Sequence, residues 1–289
     1  MSVWGFEAIG TRWEIETETP LGDAERKRVN AVIEVFDRTW SRFRADSLVS
    51  SLARDDGEVR GAADAVPMLD AYRELSDATR GAVNPLVGES LSALGYDPGI
   101  SLVAGEPRPA PADWTSILTW SDMSLSAASP AQIDVGALGK GRLVDLVLAE
   151  LVDSPGNATV DAGGDIAVRG DEVRVGLEHP FDPTKAIGVV SIRDQALCAS
   201  AINRRAWGDG LHHVLDARTG APVRTWAATW AIAPDAMHAD AVATALFFDG
   251  GPELAARWGV EWVRMSTTGR AERSIGCPAV LFTTPGVRR

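Results

Sequence analysis

The chain is poor in the side chains from which metal clusters and disulfide frameworks are built. It has 2 cysteines, Cys198 and Cys277, and 4 histidines in 289 residues. With no CxxC spacing, neither a zinc ribbon nor a redox dithiol is encoded, and both thiols are expected to be buried and inert. Basic residues are also scarce: 28 Lys and Arg face 40 Asp and Glu, a net charge of −12. Nucleic-acid phosphates require basic patches, so no nucleic-acid partner is expected. No apolar run reaches membrane-spanning length, and the opening MSVWGFEAIGTRWEIETETP lacks the basic-then-apolar order of an export signal. These absences lead us to expect a cytoplasmic protein without a membrane span. Neither a GxGxxG fingerprint nor a P-loop spacing occurs, and no repeat of fixed period is visible.

What remains is ordinary globular material, 45% apolar and 24% charged. Its length suits one large domain or two intimately packed halves. Alternating residues predict strands over 3–17, broken at Gly10, and again over 172–177, 188–192, 226–233 and 260–265. A strand over Ala279 to Thr283 closes the chain. A broad apolar face predicts a helix over Asp23 to Ser41, followed by a short helix opened by Asp46 or Ser47 and a third over Val66 to Thr79. Strands come both in neighbouring runs and between helices without a steady βαβ alternation, which predicts an α+β architecture. The Pro-, Gly- and Ala-rich stretch 98–113 reads as an exposed loop and is the best linker candidate within a domain spanning 1–289.

Two Gly-rich turns carry charge. Asp134-Val135-Gly136-Ala137-Leu138-Gly139-Lys140-Gly141 precedes the apolar run Leu143, Val144, Leu146, Val147, Leu148 and Leu151. A glycine-rich backbone opening a helix beside a lysine suits a phosphate, although a tight turn with a solvated lysine has the same composition. Asp161-Ala162-Gly163-Gly164-Asp165 follows a β-like segment and is either a hairpin turn or a place where backbone approaches a ligand. In the helix predicted over Ala239 to Phe248, Asp240 and Thr244 stand four apart, so their oxygens share one face. A carboxylate and a hydroxyl among small apolar residues offer ligands to Mg²⁺ and a substrate phosphate; the plainer alternative is an N-cap aspartate and a threonine bonding its own turn. His212 and His213 are surface histidines or, singly, a proton acceptor near neutral pH.

Taken in order, these motifs resemble the ApbE family, the FAD:protein FMN transferases, over nearly the whole chain. Ile9-Gly10-Thr11 looks like the family's M-G-T, and Ser41-Arg42-Phe43 with Asp46-Ser47-x-x-Ser50-x-Leu52 is similar to S-R-F…D-S-x-x-S-x-L-N. Asn84-Pro85-Leu86-Val87 with Leu94-Gly95-Tyr96 resembles D-P-x-x…W-G-F, and the first Gly-rich turn with Asp145 resembles D-L-G-G-I-A-K-G-x-x-x-D. Asp161 to Asp165 is similar to N-x-G-G-D, His213 to Gly220 to H-I-x-D-P-x-T-G, and Ala239 to Ala245 to A-D-A-x-A-T-A. The resemblance implies an ApbE-like, T-fold-like architecture of mixed sheets with packed helices. It also implies Mg²⁺-dependent cleavage of FAD, with FMN passed to a Thr or Ser of an acceptor flavoprotein and AMP released. On it, Asp240, Thr244 and the Gly139 carbonyl hold Mg²⁺, and Asp240 and His213 carry catalysis, His213 as the base. Lys140, Gly141, Asp161, Gly163, Gly164, Asp165, Ser200 and Leu86 line the flavin-nucleotide site. The chain departs from the pattern at Ala199-Ser200-Ala201, where the family has T-S-G, and at Ala53, Asn84, Gly139 and Asp161. The same fold could release FMN to water, as a FAD pyrophosphatase, or bind flavin without catalysis.

Overall fold

The structure, a computed structural model, describes residues 1–282. Its elements in chain order begin with β1 (Ser2–Ala8), β2 (Thr11–Thr17), α1 (Asp23–Trp40), α2 (Leu48–Leu52), β3 (Gly57–Arg60), α3 (Ala65–Ala78), α4 (Gly88–Ala93), α5 (Trp114–Ile117), β4 (Leu118–Trp120) and β5 (Ser124–Ala127). The central part contributes α6 (Gly139–Ala149), β6 (Ala158–Asp161), β7 (Asp165–Arg169), β8 (Val173–His179), β9 (Asp182–Ile192) and β10 (Ala196–Ala201). Four two-residue strands follow: β11 (Ala206–Trp207), β12 (Leu211–His212), β13 (Leu215–Asp216) and β14 (Ala221–Pro222). The chain then forms β15 (Trp226–Ala233), α7 (Ala236–Ala245), α8 (Gly251–Trp258), β16 (Glu261–Ser266), β17 (Ala271–Arg273) and β18 (Val280–Leu281). The expected last strand ends at Leu281, and Thr283 lies outside the described residues.

An eight-stranded sheet in the order β1-β2-β6-β7-β10-β15-β16-β17 is the spine, every neighbouring pair antiparallel. Period-two alternation gives it two apolar faces. One, carrying Trp13, Ile15, Val160, Ala167, Ala196 and Cys198, packs on α1, α3, α6, α7 and α8 in the main core. The other, carrying Val168, Leu197, Trp230 and Val263, packs on the small sheet β18-β9-β8 through Leu177, Val190 and Ile192. The mixed α+β architecture expected from the sequence is thus built as helices, sheet and a second sheet in layers.

Local chemistry explains the element ends. Ile9 and Gly10 turn the first hairpin with φ of 44° and 75°. Ser47, rather than Asp46, caps α2, its Oγ accepting the Ser50 N–H at 3.1 Å. Asp46 instead pairs with Arg44 at 3.0 Å. The loop 98–113 is coil held at both ends: Gly105 N–H donates to the Ala93 carbonyl at 2.8 Å, and Ala110 N–H to that of Ala217 at 2.8 Å. Both cysteines are buried and free. Among the described residues no helix is long and apolar enough to cross a membrane.

Candidate functional site

The site begins where α6 crosses α7. The Asp134 carboxylate accepts the Gly136 N–H at 2.7 Å, shaping the turn that delivers the chain into α6. At Gly141 the two helices touch: a Cβ there would run into the Ala236 carbonyl and come 2.7 Å from the Asp240 Cβ. This closeness lets the Gly141 N–H donate to Asp240 Oδ2 at 2.9 Å. One turn further on, Asp145 accepts from the Ala236 and Met237 N–H groups at 2.7 and 2.9 Å, satisfying unpaired donors at the start of α7. Asp145 had no assigned role in the sequence beyond completing a motif; in the fold it holds the helix that bears Asp240.

Helix α7 starts a turn earlier than its apolar pattern, capped by Asp235, whose Oδ1 accepts the His238 N–H at 2.9 Å. Asp240 is therefore not an N-cap; it lies in the helix interior, 3% exposed. Thr244 follows one turn later on the same face, half-buried, and its hydroxyl bonds to no described residue, its own turn included. The plainer account of this pair does not hold.

Across the sheet face from α6, Asp165 is fully buried at the start of β7 and meets the Lys140 ammonium in an ion pair. Apart from that ammonium, no described group bonds its oxygens. Burial opposes the Lys140 charge, but Asp165 and Asp240 outweigh it and raise its pKa above the usual value. Burial, with Asp165 as the next cause, pushes the Asp240 carboxyl well above the ordinary range, against Lys140. Asp161 is also raised by burial, while its Oδ1 accepts the Gly164 N–H at 2.9 Å. Gly163 and Gly164, at φ of 67° and 109°, make this turn. A half-buried ammonium thus faces two buried carboxyl groups, and ionising both of them is costly unless a further cation joins them. No group of three or more His, Cys, Asp or Glu arranged for a metal occurs among the described residues. The donors on hand are one carboxylate, a hydroxyl and backbone carbonyls, the set a hard ion such as Mg²⁺ takes when substrate oxygens and water complete its shell.

The two adjacent histidines part company. His212 Nε2 bonds the Val223 carbonyl at 2.9 Å and is buried, a structural role. His213 leaves Nδ1 buried without a partner among the described residues. Burial, then the charges of Arg205 and His212, lower its pKa to about 3. Its ring is therefore neutral near pH 7. Arg205 acts electrostatically on both His213 and Asp240, so these two side chains lie about one basic residue that sequence reasoning passed over.

Of the remaining predicted residues, Ser200 is half-buried on β10, whereas Leu86 is a core side chain. Its segment is fixed by Asn84, whose Oδ1 accepts the Leu86 N–H at 2.8 Å, and by the Pro85 carbonyl, which accepts the Asp134 N–H at 2.8 Å. Arg42 was matched only as part of a motif. Its Nε donates to Asp134 Oδ2 at 2.6 Å, while Nη1 and Nη2 are buried with no partner among the described residues. The guanidinium lies 4.2 Å from the Phe43 ring centroid and 5.0 Å from that of Tyr96, which stacks on Trp207 at 5.4 Å. Open donors against aromatic faces suit a planar ligand rich in acceptors.

The sequence profile of the ApbE family matches residues 9–263. The chain belongs to the ApbE family. A curated relative in Rhodobacter capsulatus, named FAD:protein FMN transferase, is 28% identical over 321 aligned positions covering 98% of this chain. The chain spans 57% of that relative's length. Among solved structures, the ApbE protein of Thermotoga maritima superposes with a TM-score of 0.81 at 21% identity, covering 95% of this chain and 97% of the other. The flavin transferase ApbE of Vibrio cholerae gives 0.75 at 19% identity over 95% and 97% of the two chains. The flavinyl transferase ApbE of Pseudomonas stutzeri gives 0.74 at 20% over 95% of each. At these identities the likeness is one of fold, and it is the ApbE fold expected from the motif order.

Proposed function

We propose that residues 1–289 form one catalytic unit, a Mg²⁺-dependent FAD:protein FMN transferase. The observation that carries this reading is the cluster of Lys140, Asp165 and Asp240 at the α6–α7 crossing, where two buried carboxyl groups face one ammonium. In the reaction, a threonine or serine oxygen of an acceptor protein bonds to the FMN phosphorus of FAD. The bond from that phosphorus to the bridging oxygen breaks, and AMP leaves with that oxygen. The hydroxyl proton passes to His213, whose neutral ring has an unpartnered Nδ1. Asp240, Thr244 and the Gly139 carbonyl would hold Mg²⁺, which when bound would neutralise charge at the pyrophosphate. Lys140 orients the phosphates, while the Gly141 N–H, expected to share that task, is held by Asp240; Asp161, Gly163 and Gly164 form the turn against which the nucleotide lies. Arg42 offers its unpartnered Nη1 and Nη2 amino groups to acceptors on the flavin. Positioning and charge neutralisation dominate such transfers, which is what a rigid helix crossing provides.

The test is to incubate the purified protein with FAD, Mg²⁺ and a threonine-bearing acceptor peptide and to follow peptide mass and nucleotide products. A peptide gaining the mass of FMN, with AMP released, is the expected result, and excess EDTA abolishes it. Free FMN plus AMP would make the protein a pyrophosphatase, and unchanged FAD a binding protein.

A further inference from the structure

Strand β10 is left open beside this site. It pairs with β15 along its whole length but with β7 only from Ala196 to Cys198, Cys198 lying opposite Asp165. Ala199 N–H makes the next bond, to the Gly164 carbonyl at 3.1 Å. In an antiparallel ladder the Gly164 N–H would return to the Ala199 carbonyl. Here it donates to Asp161 Oδ1 at 2.9 Å instead, so the Ala199 carbonyl is left open. The Ile202 N–H bonds the Ala227 carbonyl on β15, and by alternation the Ala201 N–H points to the side that β7 has vacated. Gly164 still occupies the place opposite Ala199, so the free donor of this edge is the Ala201 N–H just beyond it.

The surroundings fit a chain in extended form. Below Ala199 and Ala201 runs a cleft of only ≈ 30 Å³, walled by Gly164, Pro180, Asn203 and Trp230. Its rim is clamped, since Asn203 Nδ2 donates to the Pro180 carbonyl at 2.7 Å and Arg204 pairs with Glu178 at 2.7 Å. Alternation puts Ser200 on the helix-covered face with Cys198 and Asp165, and Ala199 and Ala201 on the cleft face.

We propose that the open edge of β10 beyond Gly164, at Ala201, docks the acceptor protein as a short extended strand antiparallel to β10. The inference rests on the transferase reading and specifies how its second substrate is held. The residue before the acceptor threonine gives its carbonyl to the Ala201 N–H and turns its own side chain into the cleft, which admits only a small one. The threonine itself then lies opposite Ser200 and projects to the face bearing Lys140, Asp165 and Asp240. Backbone pairing of this kind supplies affinity, and the alternate side-chain pocket supplies selectivity.

Amide hydrogen exchange tests the docking separately from the chemistry. The probe is a nine-residue peptide with central threonine preceded by alanine, added to the full chain with and without FAD and Mg²⁺. The Ala201 amide exchanges fast in the free protein and at least tenfold more slowly with saturating peptide, while Ala199, already bonded to Gly164, does not change. Replacing the preceding alanine of the peptide by leucine weakens binding at least tenfold. Protection without FMN transfer would uphold the docking and refute the transferase reading. Transfer without protection at Ala201, or protection of Ala201 by FAD alone, would overturn the docking.

Discussion

Asp240 is a carboxylate placed where only charge partners make it tolerable, 3% exposed and beside Asp165. Asp240→Asn keeps an oxygen for the Gly141 N–H but removes the negative charge. FMN transfer should fall at least 100-fold, about 3 kcal/mol of barrier, while the circular dichroism spectrum and melting remain those of a folded protein. His213 carries a different prediction, about pH and stability. Its folded pKa, about 3, lies below the unfolded value near 6.5, so the unfolded chain takes up a proton first as pH falls. The contribution is therefore fully favourable above pH 6.5 and is lost between there and about pH 3, by up to about 1.4 kcal/mol per pH unit. Urea titrations across this range should show a shallower slope in His213→Asn than in the parent; equal slopes would contradict the buried neutral ring. The placement of Asp240 and Thr244 on one helix face, and of Lys140 at the opening of a helix after a Gly-rich turn, was legible in the sequence because spacing and residue type suffice for it. That of Arg42 was not, since its open donors exist only once Phe43 and the distant Tyr96 have closed over it.

Between elements, the decisive feature is the absence of a side chain at Gly141. Gly141→Ala puts a methyl against the Ala236 carbonyl and the Asp240 Cβ, so α6 and α7 must separate. Overpacking of this kind costs about 1–3 kcal/mol, and it also breaks the Gly141–Asp240 bond. We expect a lower melting temperature together with loss of transfer, whereas Gly5→Ala, on β1 where a Cβ meets only the Trp13 carbonyl at 3.8 Å, should leave the α6–α7 contact in place. Asp145→Ala strips the start of α7 of two acceptors and should destabilise by about 1–2 kcal/mol in chemical denaturation. Element positions followed from periodicity: α1 and α3 lie within a residue of expectation, because each has a continuous apolar face. The start of α7 escaped it, since Ala236, Met237 and His238 follow a polar cap that reads as loop. The two-residue strands β11 to β14 escaped entirely, being defined by tertiary pairing rather than by any local pattern. Gly141 likewise looks like one more turn glycine until the helix 99 positions away is in place.

For the molecule as a whole, the layered arrangement seals both thiols: Cys198 is 0% and Cys277 6% exposed. Burial also pushes the Cys198 thiol well up, so it stays protonated as well as hidden. Iodoacetamide should therefore spare Cys198 in the native protein and modify both cysteines in guanidinium, counted by intact mass; rapid native labelling of Cys198 would contradict the packing. The layer order itself was not in the sequence, because which face of β8 and β9 is covered depends on partners far along the chain.

The Lys140–Asp165 pair spans a short stretch of sequence, while the Gly141–Asp240 bond joins residues 99 apart. During translation the ribosome releases the lysine and its partner long before the helix that completes the cluster. A nascent or prematurely terminated chain thus holds only part of this charged cluster. Its completion coincides with docking of the last third of the polypeptide, so truncated copies lack it.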